Sequence, residues 1–388
     1  DLGHGFALNL AYNFNGGRHL NRPINANTVR GDLLTANFEA AYYDALAAGQ
    51  TPPASPFTVS CNATTGGAPF PYVDAALMNF FRPGGLNPSI AAGYNLNGAT
   101  APCVTQATTL IKTLPGFNAA CNPSATNGFS YSGCVPFGDM DANYSNGSSV
   151  YHGLTANLRK RFGNHYEFLA SYTWSHAIDD STDLQATLTP QDSYYPALDR
   201  SNSLFDQRHR FVFSGVYQTG KVGNGGFASK FLSDWTFAPI IEVGSGRPFN
   251  ITTAGGDNFQ ISSLTSRPNT TVDPACGTVY KSKYSPSGTL QEPCIIGFLT
   301  AGIAPTLLQL DGNLGRNAGI TPWTLFDDLR VSKRIFFGER YNMELIADVF
   351  NIANRYNVAA VSPLFSNAGQ ATAAYDPRQF QFALKFYW

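Results

Sequence analysis

The chain has 388 residues, yet only 13% are charged, about half the share usual in soluble domains, while 13% are aromatic. A net charge of −1 supplies no basic field for a phosphate backbone, which sets nucleic acid aside as a partner. No apolar run is long enough for a membrane-spanning helix, an exclusion that does not extend to strands.

Period-two alternation of apolar and polar residues is the organising signal, and it predicts eight strands. The first covers residues 4–15 and is followed by a large insertion, 17–142. Within it Phe38, Ala41, Tyr42, Ala45 and Leu46 recur at helical spacing between Thr35, a predicted N-cap, and Gly49, a predicted stop. Val73, Leu77, Phe80 and Phe81 repeat the pattern before Pro83-Gly84. Two short helices are expected there, burying an apolar face within the loop more readily than serving as a ligand lid.

The second strand, 150–162, sets Val150, Leu154, Ala156, Leu158 and Phe162 against Thr155, Asn157, Arg159 and Arg161. Gly163-Asn164 turns it into the third, 165–177, where Tyr166, Phe168, Ala170, Tyr172 and Trp174 share a face. Four more follow at 209–219, 235–245, 323–336 and 341–352. The last ends the chain, with Phe380, Phe382, Leu384, Phe386 and Trp388 opposite Gln379, Gln381, Lys385 and Tyr387. The connections alternate between long and short, the second large excursion being 246–322.

That parity is what an up-and-down barrel in an outer membrane produces, with long extracellular loops and short periplasmic turns. The expected fold class is therefore all-β: a partial transmembrane antiparallel β-barrel of about eight long strands, an open curved sheet with long extracellular loops, localised to the outer membrane of a Gram-negative-type bacterium. Arg159, Arg161, Glu167, Glu242, Arg330, Glu344 and Asp348 are expected to line a wet lumen. Trp174, Trp235, Trp323, Phe336, Phe337, Tyr387 and Trp388 are expected in aromatic girdles against membrane lipid. Asp327 is the exception, sharing a face with Leu325, Leu329 and Val331. On the last strand, Phe382, Phe386 and Trp388 are assigned as interface anchors and as an edge that an assembly machine can pair with. A soluble secreted β-rich binding protein is the weaker alternative, in which a second sheet covers the apolar faces.

Six cysteines, Cys61, Cys103, Cys121, Cys134, Cys276 and Cys294, lie in two of the outward loops without metal-binding spacing. Disulfides are expected, with Cys121–Cys134 and Cys276–Cys294 as the sequence-local pairings and the other connectivities open. Asp139, Asp141 and Asn143 open like a calcium loop, but Tyr144 and Val150 stand where the turn glycine and the bidentate glutamate belong, so they are only a weak metal candidate. His176, Asp179, Asp180 and Asp183 fit a solvated acidic loop better than a cation site. Asp206, Arg208, His209 and Arg210 read as a salt-bridge network, and no nucleophile elbow surrounds Ser201 or Ser203. No catalytic residue and no cofactor is assigned, and no enzymatic activity is expected.

Five stretches carry a family resemblance: NYSNGSSVYHGLTANLRKRF (143–162), FLASYTWSHAIDDS (168–181), ALDRSNSLFDQRHRFVFSGVYQ (197–218), GSGRPFNITT (244–253) and DDLRVSKRIFFGERYNMELIADVFNIANRYN (327–357). Together with the terminal strand, the chain resembles the C-terminal barrel of TonB-dependent receptors of the Oar-like group, which carry a carboxypeptidase-regulatory-like domain. The resemblance implies a barrel of about 22 strands that imports a scarce ligand with energy relayed by TonB, and an outer-membrane assembly machine as partner. Neither plug nor TonB box precedes Asp1, so residues 1–388 are expected to be a C-terminal fragment, coupled to TonB only through the missing plug. The Gly-, Asn-, Tyr- and Ser-rich loops suit an oligosaccharide, while an adhesin or a passive pore is the alternative function.

Overall fold

The computed structural model describes residues 3–28, 31–53, 140–181, 189–223, 225–252, 267, 269–270, 280–281, 295–297, 314–338, 340–365 and 367–388. Its frame is one antiparallel sheet of eight long strands: β1 (Phe6–Asn25), β2 (Asp141–Gly163), β3 (Tyr166–Asp179), β4 (His209–Gln218), β5 (Trp235–Gly244), β6 (Thr324–Phe337), β7 (Tyr341–Phe350) and β8 (Gln379–Tyr387). Each pairs with its neighbour in sequence, and the sheet is not closed, since β1 and β8 stand at its two ends. All eight expected strands are present. The first two are longer than expected, because β1 and β2 stay paired from Phe6↔Lys160 to Asn25↔Asp141. The first insertion therefore begins at 26 rather than 17, and the outer halves of β1 and β2 form a two-stranded ribbon beyond the sheet.

Short turns lie at one end of the sheet and long excursions at the other. Gly163 pairs with Tyr166, so the β2–β3 turn is Asn164-His165, one residue later than the sequence suggests. Both have positive φ, 53° and 72°, as a two-residue turn matched to strand twist requires. Phe337 pairs with Tyr341 across a turn that begins with Gly338 at φ 73°. The third short connection holds a one-turn helix, α2 (Phe227–Leu232), which alternation did not reveal.

In the long-loop layer, α1 (Gly31–Ala47) begins before Thr35, so Thr35 lies inside the helix and is not its N-cap. Its end is as expected: Gly49 takes φ 66°, and Gln50 N–H donates to the Ala45 carbonyl at 2.8 Å. Phe38 and Ala41 are its buried face. The second expected helix, all six cysteines and Asp183 lie outside the described residues.

Register sorts the side chains. One face presents Leu8, Leu10, Tyr12 and Phe14, opposite Leu158, Ala156, Leu154 and His152, and continues through Tyr172, Phe213 and Val243 to Phe380 and Phe382. Many of these side chains are exposed, and among the described residues no second sheet covers them, whereas the sandwich alternative expects one. The other face is concave and carries the expected Arg159, Glu167, Glu242, Arg330, Glu344 and Asp348. Phe336 and Tyr387 belong to this polar face, the Tyr387 hydroxyl donating to Glu344 at 3.1 Å, so they leave the predicted girdle.

Asp327 does lie on the apolar face, and its surroundings explain it. At the long-loop end β7 stops pairing with β6 beyond Leu329↔Val349, which leaves the backbone of Leu325 and Asp327 open on that side. The chain after β7 fills the gap. Ile352 N–H donates to the Asp327 carbonyl at 2.8 Å, and Ala353 N–H to the Asp327 carboxylate at 2.9 Å. Asn357, almost wholly buried, accepts from Leu325 N–H at 3.0 Å and donates its amide to the Leu325 carbonyl, so one side chain stands in for the missing strand. Asn357→Ala is expected to cost about 2 kcal/mol by leaving those buried backbone groups unpaired, read as a lowered denaturant midpoint. An unchanged midpoint would show that water replaces the amide there.

Candidate functional site

Two features of the polar side belong together. The first is the concave face, a hollow of about 1140 Å³ reached from β1 through β7, lined by Asn9, Asn157, Arg159, Glu167, Arg330 and Asp348 among others. Six of the charges on this face form three cross-strand pairs. Arg210 donates twice to Glu242, at 2.9 and 3.1 Å, and Arg330 twice to Asp348, at 2.7 and 2.9 Å. Arg334 faces Glu344 at 4.0 Å. These arginines are about half exposed, so such pairs are screened and add little stability. Their consequence is a wall that is polar, hydrated and nearly neutral.

The second feature lies at the long-loop end. Arg22, near the outer end of β1 and 2% exposed, lies 3.9 Å from Asp180 and 3.7 Å from Asp199. Burial pushes its guanidinium below the ordinary pKa, and the two carboxylates pull it back up. Arg267 meets Asp199 at 2.8 Å and donates to the Leu314 carbonyl at 2.7 Å. Arg316 is bound to the Asp179 carboxylate and donates to the Asp199 carbonyl at 2.7 Å. Three arginines thus face three aspartates, all of them largely removed from water. Asn317 extends the web to the Asn202 carbonyl at 2.8 Å, and Ser193 Oγ accepts from Asn25 N–H at 3.1 Å.

An apolar knot adjoins it: Ile251, Leu314 and Ala368 are buried against Phe249, Ala318 and Phe365, joining the 245–323 excursion to the one after β7. Pro248–Phe249 pairs with Gly319–Ile320, which runs parallel to Tyr280–Lys281. The loops are therefore tied to one another and to the sheet by buried contacts.

The expected site residues divide accordingly. Asp179 and Asp180 are buried ion-pair members, which replaces the solvated acidic loop; Asp180 also accepts from Ser148 N–H at 2.9 Å. His176 meets Asn202 at 3.0 Å. Asp141 and Asn143 stand in extended β2 opposite Asn25 and Pro23 rather than in a compact loop, while Asp139 is outside the described residues. Asp206 accepts from Ala177 N–H at 2.7 Å and pairs with Arg208 at 3.2 Å, as a rim network should. His209 meets the Tyr172 hydroxyl at 2.8 Å. Phe382, Phe386 and Trp388 project from the apolar face of β8, with Phe386 stacked between Tyr341 and Trp388. Arg22, Arg267, Arg316, Asp199 and Asn357 were not singled out from the sequence. Their signal was scarcity: in so weakly charged a chain, lone arginines within polar loops need partners.

An apolar outer face, a polar hollow, sequential antiparallel pairing and one-ended long loops define an outer-membrane β-barrel protein. A family model described as an outer membrane beta barrel domain matches residues 1–381, and the chain belongs to that family. Its place is the outer membrane. No curated protein matches the chain.

Proposed function

We propose that this chain is the barrel portion of a TonB-dependent active importer for a scarce polar ligand, with oligosaccharides the class its loops suit best. The observation that carries the reading is the combination of a polar, charge-paired inner wall with outer loops fastened at its long-loop end by the Arg22, Arg267 and Arg316 network. A passive pore has no need of a fastened cap, whereas an importer does, since capture must precede passage. The open edges of β1 and β8 suit a portion of a larger barrel, to which a longer chain adds strands, a plug and a TonB-contacting segment. In this reading the ligand lodges against the loop layer, TonB acts through the plug, and the barrel performs no catalysis. The aromatic edge of β8 guides insertion by the outer-membrane assembly machinery.

Deleting the encoding gene in its native bacterium and following labelled oligosaccharides tests the proposal. Saturable uptake should be lost in the deletion strain, and in the parent strain it should stop when the proton gradient is collapsed. Uptake that persists without the gradient points to a passive pore. Unchanged uptake with lost surface attachment points to an adhesin.

A further inference from the structure

We infer that the short-turn end of β5–β8 carries a site for one anionic phospholipid of the periplasmic leaflet. On the membrane-facing side lies an apolar groove of about 680 Å³, walled by Val331, Leu345, Phe382 and Leu384 and closed at one end by Phe231 and Trp235. Its register positions are those of the lipid-facing surface, so it is continuous with the membrane interface that the family defines.

A cation stands at its mouth. Lys333 shares the apolar face with Leu345 and Trp235, is only 9% exposed, and bends toward the turn. Its ammonium donates to the carbonyls of Lys230 (2.8 Å), Phe231 (3.2 Å) and Ser233, and sits 5.4 Å from the Trp235 ring centre. Three carbonyls use its three hydrogens and fix its position, yet among the described residues no carboxylate neutralises it. Lys160, by contrast, is fixed at the β2–β3 turn by the Arg161 carbonyl and two aromatic rings.

The turn itself extends the site. Lys221 and Lys230 are exposed there, against Asp234 as the one acidic residue between β4 and β5. Phe227, Phe231 and Leu232 of α2 are exposed beside them, Phe227 at 87%. Side chains so apolar on a cationic turn suit the level where acyl chains meet headgroups. The occupant is accordingly a lipid with a negatively charged phosphodiester headgroup, one acyl chain in the groove and the phosphate held by the exposed Lys230 and Lys221, with Lys333, whose hydrogens are all used by carbonyls, contributing its charge from beneath.

The test is native mass spectrometry of the full-length protein released from outer membranes, offered phosphatidylglycerol or phosphatidylcholine of matched chains. Retention of the anionic lipid should exceed that of the zwitterionic one by about tenfold, and should fall to parity in Lys333→Met and in the surface double variant Lys221→Gln/Lys230→Gln. Ala347→Phe, which fills the groove, should lower retention of both lipids. Equal retention of the two lipids by the unaltered protein would overturn the site, and so would a preference that survives the double variant, which is expected to fold normally. Displacement by millimolar inorganic phosphate would reduce it to an ion site.

Discussion

Asp199→Ala is expected to release the outer loops while leaving the strands folded. Asp199 is 4% exposed and holds Arg267 at 2.8 Å, Arg22 at 3.7 Å and the Gln191 N–H at 3.2 Å. Its loss strands the Arg267 guanidinium in a buried place and leaves Arg22 with Asp180 alone, at 3.9 Å. Removing one member of a buried ion pair costs about 3–5 kcal/mol, chiefly because the remaining charge stays out of water. The membrane-embedded ladders do not pass through this network, so the damage is confined to the loop layer. Limited proteolysis of intact outer-membrane vesicles should cut the long loops at least several-fold faster, with the heat-modified electrophoretic shift of the barrel unchanged. Asp199→Asn keeps an acceptor for Gln191 but not the charge and should behave nearly as badly. Wild-type cleavage rates in both variants would mean that the ion pairs do not hold the loops.

The strands were legible because the membrane enforces alternation on each of them separately. A residue such as Phe213 or Leu384 declares its face through its own neighbours, with no distant partner needed. The rim was not legible for the converse reason. Asp179 and Asp180 look like a solvated pair in sequence, while their partners Arg316 and Arg22 lie more than a hundred residues away on either side. Asp327 looked like a fault because alternation counts faces and takes no account of a chain that returns after β7 to use the carboxylate. The longer β1 and β2 escaped notice since, outside the membrane, a ribbon is free to abandon one greasy side, as Gly16, Gly17 and Arg18 show. The stretches that carried the family resemblance run through the same places: ALDRSN holds Asp199, and DVFNIANRYN holds Asp348 and Asn357.

GSGRPFNITT is a further such stretch, and it supplies the second large effect, expected at Gly246. There β5 has just ended, and the chain runs beside the approach to β6: Thr321 N–H donates to the Arg247 carbonyl at 2.9 Å, and Arg247 N–H to the Thr321 hydroxyl at 2.9 Å. A β-carbon built on Gly246 would fall far inside van der Waals contact distance of the Thr321 carbonyl oxygen, a backbone atom that cannot rotate away. Gly246→Ala must therefore part the two segments and break both hydrogen bonds, for a cost of about 3 kcal/mol at the upper end of ordinary overpacking. The knot of Ile251, Leu314 and Ala368 begins a few residues on, so the strain reaches the contact that joins two of the outer loops. Surface-exposed, protease-sensitive loops and a lowered denaturant midpoint are expected together in Gly246→Ala. Gly315→Ala is the control, since among the described residues nothing lies within 4 Å of a β-carbon there. If the two variants match wild type equally, the approach at Thr321 is loose and the glycine is dispensable. Should Gly246→Ala alone fail, the start of that loop is fixed by backbone contact, and the cap over the inner wall is anchored at the ends of β5 and β6 themselves.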